Sequence, residues 1–180
     1  MRKPTSLIDS GHILFDRRVV ADHRRRAALS DWPRYRFLFD EVAARLSERL
    51  LDINHDFKLA LDLGGRGGGF AEQVISLKKA QQVIRTDICA EMLRDGKDSA
   101  VVVDEEFLPF KPATFDLVGS VLALHWTNDL PGSLAQIRSI LKPNGLFLGA
   151  LFGIDSLQEL KSCLFEAESD IKGGVSPRVS

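Results

Sequence analysis

Two cysteines, Cys89 and Cys163, are all that this chain of 180 residues contains, and they form no CxxC pair. A disulfide framework and a CxxC metal knuckle are thereby excluded, and a reducing compartment with idle or buried thiols is the simplest reading. No apolar run approaches the roughly 20 residues of a membrane span. The opening "MRKPTSLIDSGHILF" lacks the continuous apolar core of a secretory signal, and Asp9 and Asp16 argue against an organellar presequence. There is no internal repeat and no low-complexity linker. No HxD or HxE pair occurs, so the simplest signature of a mononuclear iron oxygenase is missing and no metal ligands are assigned. The net charge is only −1.

That small net charge is unevenly spread. Residues 1–36 hold nine Lys and Arg against four acids, and residues 37–180 hold fifteen against twenty-one. The basic focus is "DRRVVADHRRRAA" at 16–28. It reads as a solvated helix face or as a contact for an acidic protein partner or substrate. Nucleic acid is not expected, because no aromatics interleave with the arginines and the chain as a whole is not basic.

Apolar periodicity supplies the organisation. "RYRFLFDEVAARLSERLLDI" spaces Leu38, Val42, Leu46 and Leu50 by four, which predicts an amphipathic helix. Strands are predicted at 58–63, 81–87, 99–104, 115–124 and 146–152. Helices are predicted at 70–79, 129–141 and 155–170, with "KPNG" at 142–145 as a helix stop. Strands alternating with helices specify an α/β fold, a Rossmann-like doubly wound parallel sheet with five strands visible. The expected division is a basic helical extension over 1–36, a binding domain over 37–172 and a loop-like tail over 173–180. Such sheets normally continue beyond a fifth strand, so further C-terminal strands are expected to be missing. The chain reads as the N-terminal part of a longer protein, with "LFLGALF" left at or near an open edge.

Ligands of such sheets bind beyond the carboxyl ends of the strands. There the chain reads "LALDLGGRGGG" (59–69). Neither GxxxxGK[ST] nor GxGxxG fits, which excludes the nucleoside-triphosphate and dinucleotide loops. The pattern that comes nearest is acid-x-Gly-x-Gly-x-Gly, with Asp62 as the acid and Arg66 in place of the middle glycine. It suits S-adenosylmethionine (SAM), whose ammonium and sulfonium a carboxylate attracts and whose absent pyrophosphate it need not repel. Asp87 closes the second strand and can accept both ribose hydroxyls. Asp104 closes the third and can accept an adenine amino group, beside the apolar turn of Leu108, Pro109 and Phe110. Two readings stand for Arg66: a guanidinium on the methionine carboxylate, or a solvent-facing side chain. His125 and Trp126, just past the fourth strand, are the candidate catalytic residues; the alternatives are a locally hydrogen-bonded histidine and a wall or core tryptophan.

Several stretches are familiar beyond this chemistry. "FDRR", "ALDLG", "DEEFLPF", "FDLV", "LALHWTNDLP", "QIRSILKPNGLFLGALFG" and "GGVSPR" resemble the class I SAM-dependent methyltransferases. Within them the likeness is to the group of the mitochondrial complex I assembly factor five and its bacterial relatives. The methyltransferase acting on malonyl-carrier protein in the biotin pathway is more distantly similar. The resemblance implies Asp62, Gly64, Gly65 and Gly68 around the methionine part of SAM, Asp87 on the ribose, and Ile88 beside the adenine. It also implies Asp104 and Glu105 at the base, and Leu122 on the strand passing beneath the cofactor. The implied activity is methyl transfer to a small-molecule or protein acceptor, with arginine hydroxylation in complex I assembly or SAM binding without turnover as alternatives. The implied setting is a bacterial cytoplasm or, alternatively, the mitochondrial matrix. Arg66 departs from the family pattern, where a glycine is usual.

Overall fold

A computed structural model describes residues 13–94, 99–153 and 155–174. The apolar runs form five parallel strands: β1 (Phe57–Leu63), β2 (Ala80–Asp87), β3 (Ala100–Val102), β4 (Phe115–Val121) and β5 (Leu141–Ala150). Their order is β3-β2-β1-β4-β5, so the winding reverses beside β1. The helices are α1 (Arg17–Ala28), α2 (Trp32–Tyr35), α3 (Phe37–Glu48), α4 (Gly69–Ser76), α5 (Leu130–Ile140) and α6 (Gln158–Lys172). This is the expected doubly wound α/β sheet.

Alternation along β1 and β4 divides the core. Ala60, Leu117 and Val121 face α3 and α4, where Ala43, Leu46, Leu50, Phe70 and Val74 pack. Leu61, Leu63 and Val118 face the other way, onto Ile137 and Ile140 of α5. Both faces are apolar because both are covered, as parallel sheets require. No side chain of α6 is buried; Leu160, Leu164, Phe165 and Ile171 stand exposed.

The structure moves several expected boundaries. The fifth strand begins at Leu141, directly off α5, and "KPNG" lies inside it. The pairing jumps from Phe115↔Leu141 to Leu117↔Leu146, and Asn144 takes up the irregularity at φ +65°. The fourth strand stops at Val121, because Leu122 at φ +49° turns the chain into a short 3₁₀ turn, Leu124–Trp126. The helix expected over 34–53 is shorter and broken at Arg36, and the last helix starts at Gln158. The expected tail 173–180 lies outside the described residues except for Gly173 and Gly174, as does most of residues 1–16. Among the described residues no helix is long and apolar enough to cross a membrane.

Candidate functional site

The glycine loop leaves β1 through a run of left-handed residues: Gly64 at φ +70°, Arg66 at +44°, Gly67 at +104° and Gly68 at +85°. Three of the four are glycine because a Cβ is disfavoured there. The run folds the chain back tightly enough for the Gly65 N–H to reach the Thr86 carbonyl (2.9 Å) and for Gly68 to cap α4. A Cβ on Gly68 would lie 2.6 Å from Arg85 Cδ, so its bareness also makes room for that arginine under the loop.

Asp62 sits at the tip of β1, fully buried. Its Oδ2 accepts the Ala71 N–H (3.2 Å), while Oδ1 has no partner among the described residues. Burial pushes its pKa up to about 7, against the opposing pull of the Ala71 N–H and of Arg85. Arg85, also buried, has no partner for Nε and Nη2 among the described residues. Sequence reasoning missed Arg85; its place two residues before Asp87, on the same face of β2, was the available signal.

Asp87 and the acids after β3 are already engaged, and their partners come from α1. Arg24, buried to 5% exposure, stands with Nη1 3.1 Å from Asp87 Oδ2 and 2.6 Å from Glu105 Oε1. Arg17 donates to Asp104 Oδ1 (2.8 Å), to Glu105 Oε2, and to the Trp126 carbonyl (2.8 Å). Asp87 further accepts the N–H groups of Cys89 (2.9 Å) and Arg66 (3.2 Å). Burial penalises the charge of Arg24, but Asp87 and Glu105 outweigh it and raise its pKa; burial also raises that of Asp87. Asp104 doubles as a turn cap, accepting the Glu106 N–H (2.9 Å).

The basic run at 16–28 is therefore not a uniform solvated face. Asp16 caps α1 through the Arg18 N–H, and the helix turns Arg17 and Arg24 inward while Arg18, Arg25 and Arg26 stay exposed. A clamp holds its start. Phe15 N–H donates to Asn128 Oδ1 (2.8 Å), Asn128 Nδ2 donates back to the Phe15 carbonyl (2.9 Å), and the Phe15 ring meets Trp126 edge-on at 5.4 Å. The stretches "FDRR", "DEEFLPF" and "LALHWTNDLP", distant in sequence, meet at this one place.

Arg66 does not face solvent freely. Its guanidinium lies 4.6 Å from the Phe39 ring centroid, and its carbonyl accepts from Trp32 Nε1 (2.8 Å). Burial and the nearby Arg24 lower its pKa to about 10. His125 is half-buried against Phe152 and Trp126, and burial with Arg66 and Arg24 nearby lowers its pKa to about 4. It is neutral at pH 7, and its buried Nδ1 has no partner among the described residues, which departs from the locally bonded histidine. Trp126 is 38% exposed, a wall and not core. Ile88 is half-buried beside Asp87, and Leu122 is buried under the loop's edge of the sheet. Among the described residues no three His, Cys, Asp or Glu side chains gather as a metal-holding group.

A parallel sheet with this strand order and a glycine loop after β1 is a Rossmann-like fold of the kind methyltransferases use. Residues 61–149 match the methyltransferase domain family. The chain is 43% identical over 173 residues to the human mitochondrial protein named arginine-hydroxylase NDUFAF5, covering 93% of this chain and 50% of the relative. A malonyl-[acyl-carrier protein] O-methyltransferase of Gallionella capsiferriformans is 33% identical over 135 residues, covering 67% and 47%. Among solved structures, a chain from the complex of the Haloferax volcanii Trm112 methyltransferase activator matches with a TM-score of 0.64 at 24% identity. It covers 71% of this chain and 59% of that one, a likeness of fold. The chain spans about half the length of the curated relatives it matches.

Proposed function

We propose that this chain binds SAM at the carboxyl edge of β1, β2 and β3 and serves methyl transfer to a small-molecule or protein acceptor. The observation that carries the reading is the set of buried carboxylates Asp62 and Asp87 at the tips of β1 and β2 and Glu105 just past β3, with Asp62 Oδ1 left without a partner among the described residues beside a glycine loop. An orphaned buried carboxylate oxygen suits a cationic or hydrogen-bond-donating ligand. Bound there, SAM supplies a methyl group on a sulfonium.

The chain's own residues bind and orient. Asp62, with Gly64, Gly65 and Gly68, takes the amino-acid end. Asp87 takes the ribose hydroxyls, Ile88 flanks the base, Asp104 and Glu105 accept from it, and Leu122 forms the floor. Much of such catalysis is positioning. His125, uncharged at pH 7, offers a nitrogen lone pair where an acceptor proton must leave, but its low basicity limits it to acceptors that are themselves acidic. Trp126 walls the same side.

The residues fit the cofactor's chemistry, and α1 decides the room. The cavity beneath α1 measures about 160 Å³, against roughly 300 Å³ or more for ordinary ligand pockets. Arg24 and Arg17 must therefore give up Asp87 and Glu105 as the cofactor enters. The exposed Arg18, Arg25 and Arg26 then remain for an acidic protein partner.

A second reading is arginine hydroxylation in complex I assembly, within mitochondria, favoured by the 43% identity to a mitochondrial protein named for that activity. Titration calorimetry with SAM, its demethylated product and NAD tests the binding common to both. Asp87→Ala removes charge-assisted hydrogen bonds worth roughly 1.5–3 kcal/mol each and should cost SAM affinity at least tenfold with the fold retained. An unchanged dissociation constant refutes the ribose assignment. Product analysis then separates a methylated acceptor from a hydroxylated arginine.

A further inference from the structure

The stretch "DEEFLPF" opens, two residues past β3, in a tight turn. Asp104 accepts the Phe107 N–H at its backbone carbonyl (3.0 Å) and the Glu106 N–H at its carboxylate (2.9 Å), so Glu105 and Glu106 fill the two central positions. Beyond the bend, the Glu106 carbonyl and the Leu108 N–H need partners from elsewhere. The next residue is Pro109, which has no N–H to offer. One side chain meets both groups. Gln136, half-buried on α5, donates from Nε2 to the Glu106 carbonyl (2.7 Å) and accepts the Leu108 N–H at Oε1 (2.9 Å). A side-chain amide carries a donor and an acceptor together, so it can pair with backbone as another backbone segment would. Asn128 takes the side chain of the same glutamate: Glu106 Oε1 accepts its N–H (2.5 Å) and its Nδ2 (3.0 Å).

We infer that Gln136 is a positioning residue that sets the base specificity of the cofactor site through the turn it holds. The inference rests on the cofactor reading above, in which Asp104 and Glu105 accept from the adenine amino group. Gln136 acts at one remove, because both of its bonds are to the backbone of the loop that carries those acids. Distance separates two effects of a carboxylate. Its charge acts over several ångströms, while its hydrogen bond weakens steeply once length or angle drifts. A turn released from Gln136 therefore keeps its charge near the base and loses its aim at one amino group. Affinity can survive such a change; discrimination between bases depends on the aim. An amide suits the place better than any other side chain, since an acid there would set oxygen against the Glu106 carbonyl and an apolar group would leave both backbone groups unmet.

The test is calorimetry on the full chain with two ligands. One is the demethylated product of SAM, and the other is the same compound with hydrogen in place of the exocyclic amino group of adenine. The unaltered chain is expected to prefer the first by about tenfold or more, the scale of one hydrogen bond to a charged group. Gln136→Met keeps the length and helix propensity of the side chain and removes both bonds. Its preference is expected to fall to about threefold or less. Gln136→Glu keeps the size, faces the Glu106 carbonyl with an acceptor, and is expected to lose the preference likewise. Thermal melting of each variant reads the fold separately. A merely structural clamp would lower the melting temperature, or weaken both ligands by the same factor, and leave their ratio as it was. An unchanged ratio in either variant overturns the inference while the cofactor reading stands. Equal binding of the two ligands by the unaltered chain also overturns it, by removing Asp104 and Glu105 from the base. Binding of neither ligand refutes the cofactor reading, and the inference falls with it.

Discussion

Arg24 and Asp87 form a buried ion pair, 3.1 Å from Nη1 to Oδ2, that ties the N-terminal helix to the tip of the second strand. The same nitrogen holds Glu105 at 2.6 Å. One guanidinium thus occupies the two carboxylates on which the ribose and base of a nucleoside cofactor would depend. In the binding mode proposed above, docking of α1 and cofactor binding would compete for the same atoms.

Arg24→Gln tests that competition. Removing one partner of a buried pair costs about 3 kcal/mol of stability, here offset partly by Arg17, which still meets Glu105. Urea midpoints should show that loss. SAM affinity should nevertheless rise about tenfold, because Asp87 no longer has to be vacated. A fall in affinity would mean that Arg24 holds the cofactor and does not exclude it.

Asp62 makes stability depend on pH. Its pKa is about 7 in the folded chain, against about 3.9 unfolded. Below both values the group is protonated in either state and exacts nothing. As pH rises from about 4 to about 7 the unfolded chain ionises first, so stability falls by on the order of 4 kcal/mol and then levels off. Asp62→Asn, neutral throughout and nearly isosteric, should remove that fall. Urea midpoints of both proteins from pH 4 to pH 8 should therefore favour the variant progressively, and parallel curves would show that Asp62 is not the buried acid responsible.

Gly68→Ala should destabilise by at least about 2 kcal/mol. A residue with a side chain in the left-handed region costs roughly 1–2 kcal/mol, and the new Cβ would sit 2.6 Å from Arg85 Cδ. Arg85 lies buried under the loop and has little room to yield. Thermal melting measures the loss; a change below about 0.5 kcal/mol, the scale of an ordinary surface substitution, would show that the loop relaxes freely.

Asn128→Ala should loosen α1 without disturbing the sheet. The side chain exchanges two hydrogen bonds with the Phe15 backbone, each worth about 1 kcal/mol net. Amide exchange across Arg17–Ala28 should speed up about tenfold or more while exchange in β1 and β4 stays the same. Equal protection of α1 in both proteins would show that the arginines hold the helix alone.

Much of this molecule follows from local pattern. Apolar runs such as "LALDL" and "FDLVGSV" are long enough, and bounded clearly enough, that five parallel strands and their order of appearance can be read without coordinates. Acids at strand ends follow too for Asp62 and Asp87, because a strand's length sets where its tip falls. Asp104, expected to close a strand over 99–104, instead lies in the turn after β3, which ends at Val102, because its carboxylate caps that turn at the Glu106 N–H. The loop's need for left-handed backbone is likewise written in its glycines, and Arg66 at φ +44° is the exception they frame.

What only the tertiary structure decided is who meets those acids. Arg24 and Glu105 are 81 positions apart, and Arg17 and Asp104 are 87. No spacing rule reaches that far, and the basic run at 16–28 looks the same whether its arginines face solvent or carboxylate. The same holds for Arg66 over Phe39, and for "KPNG", whose turn residues serve an irregularity within β5 because Leu141 pairs with Phe115 before the turn begins. Local propensity sets which elements form. Long-range charge pairing, made strong by burial, sets which of their side chains are left for a ligand.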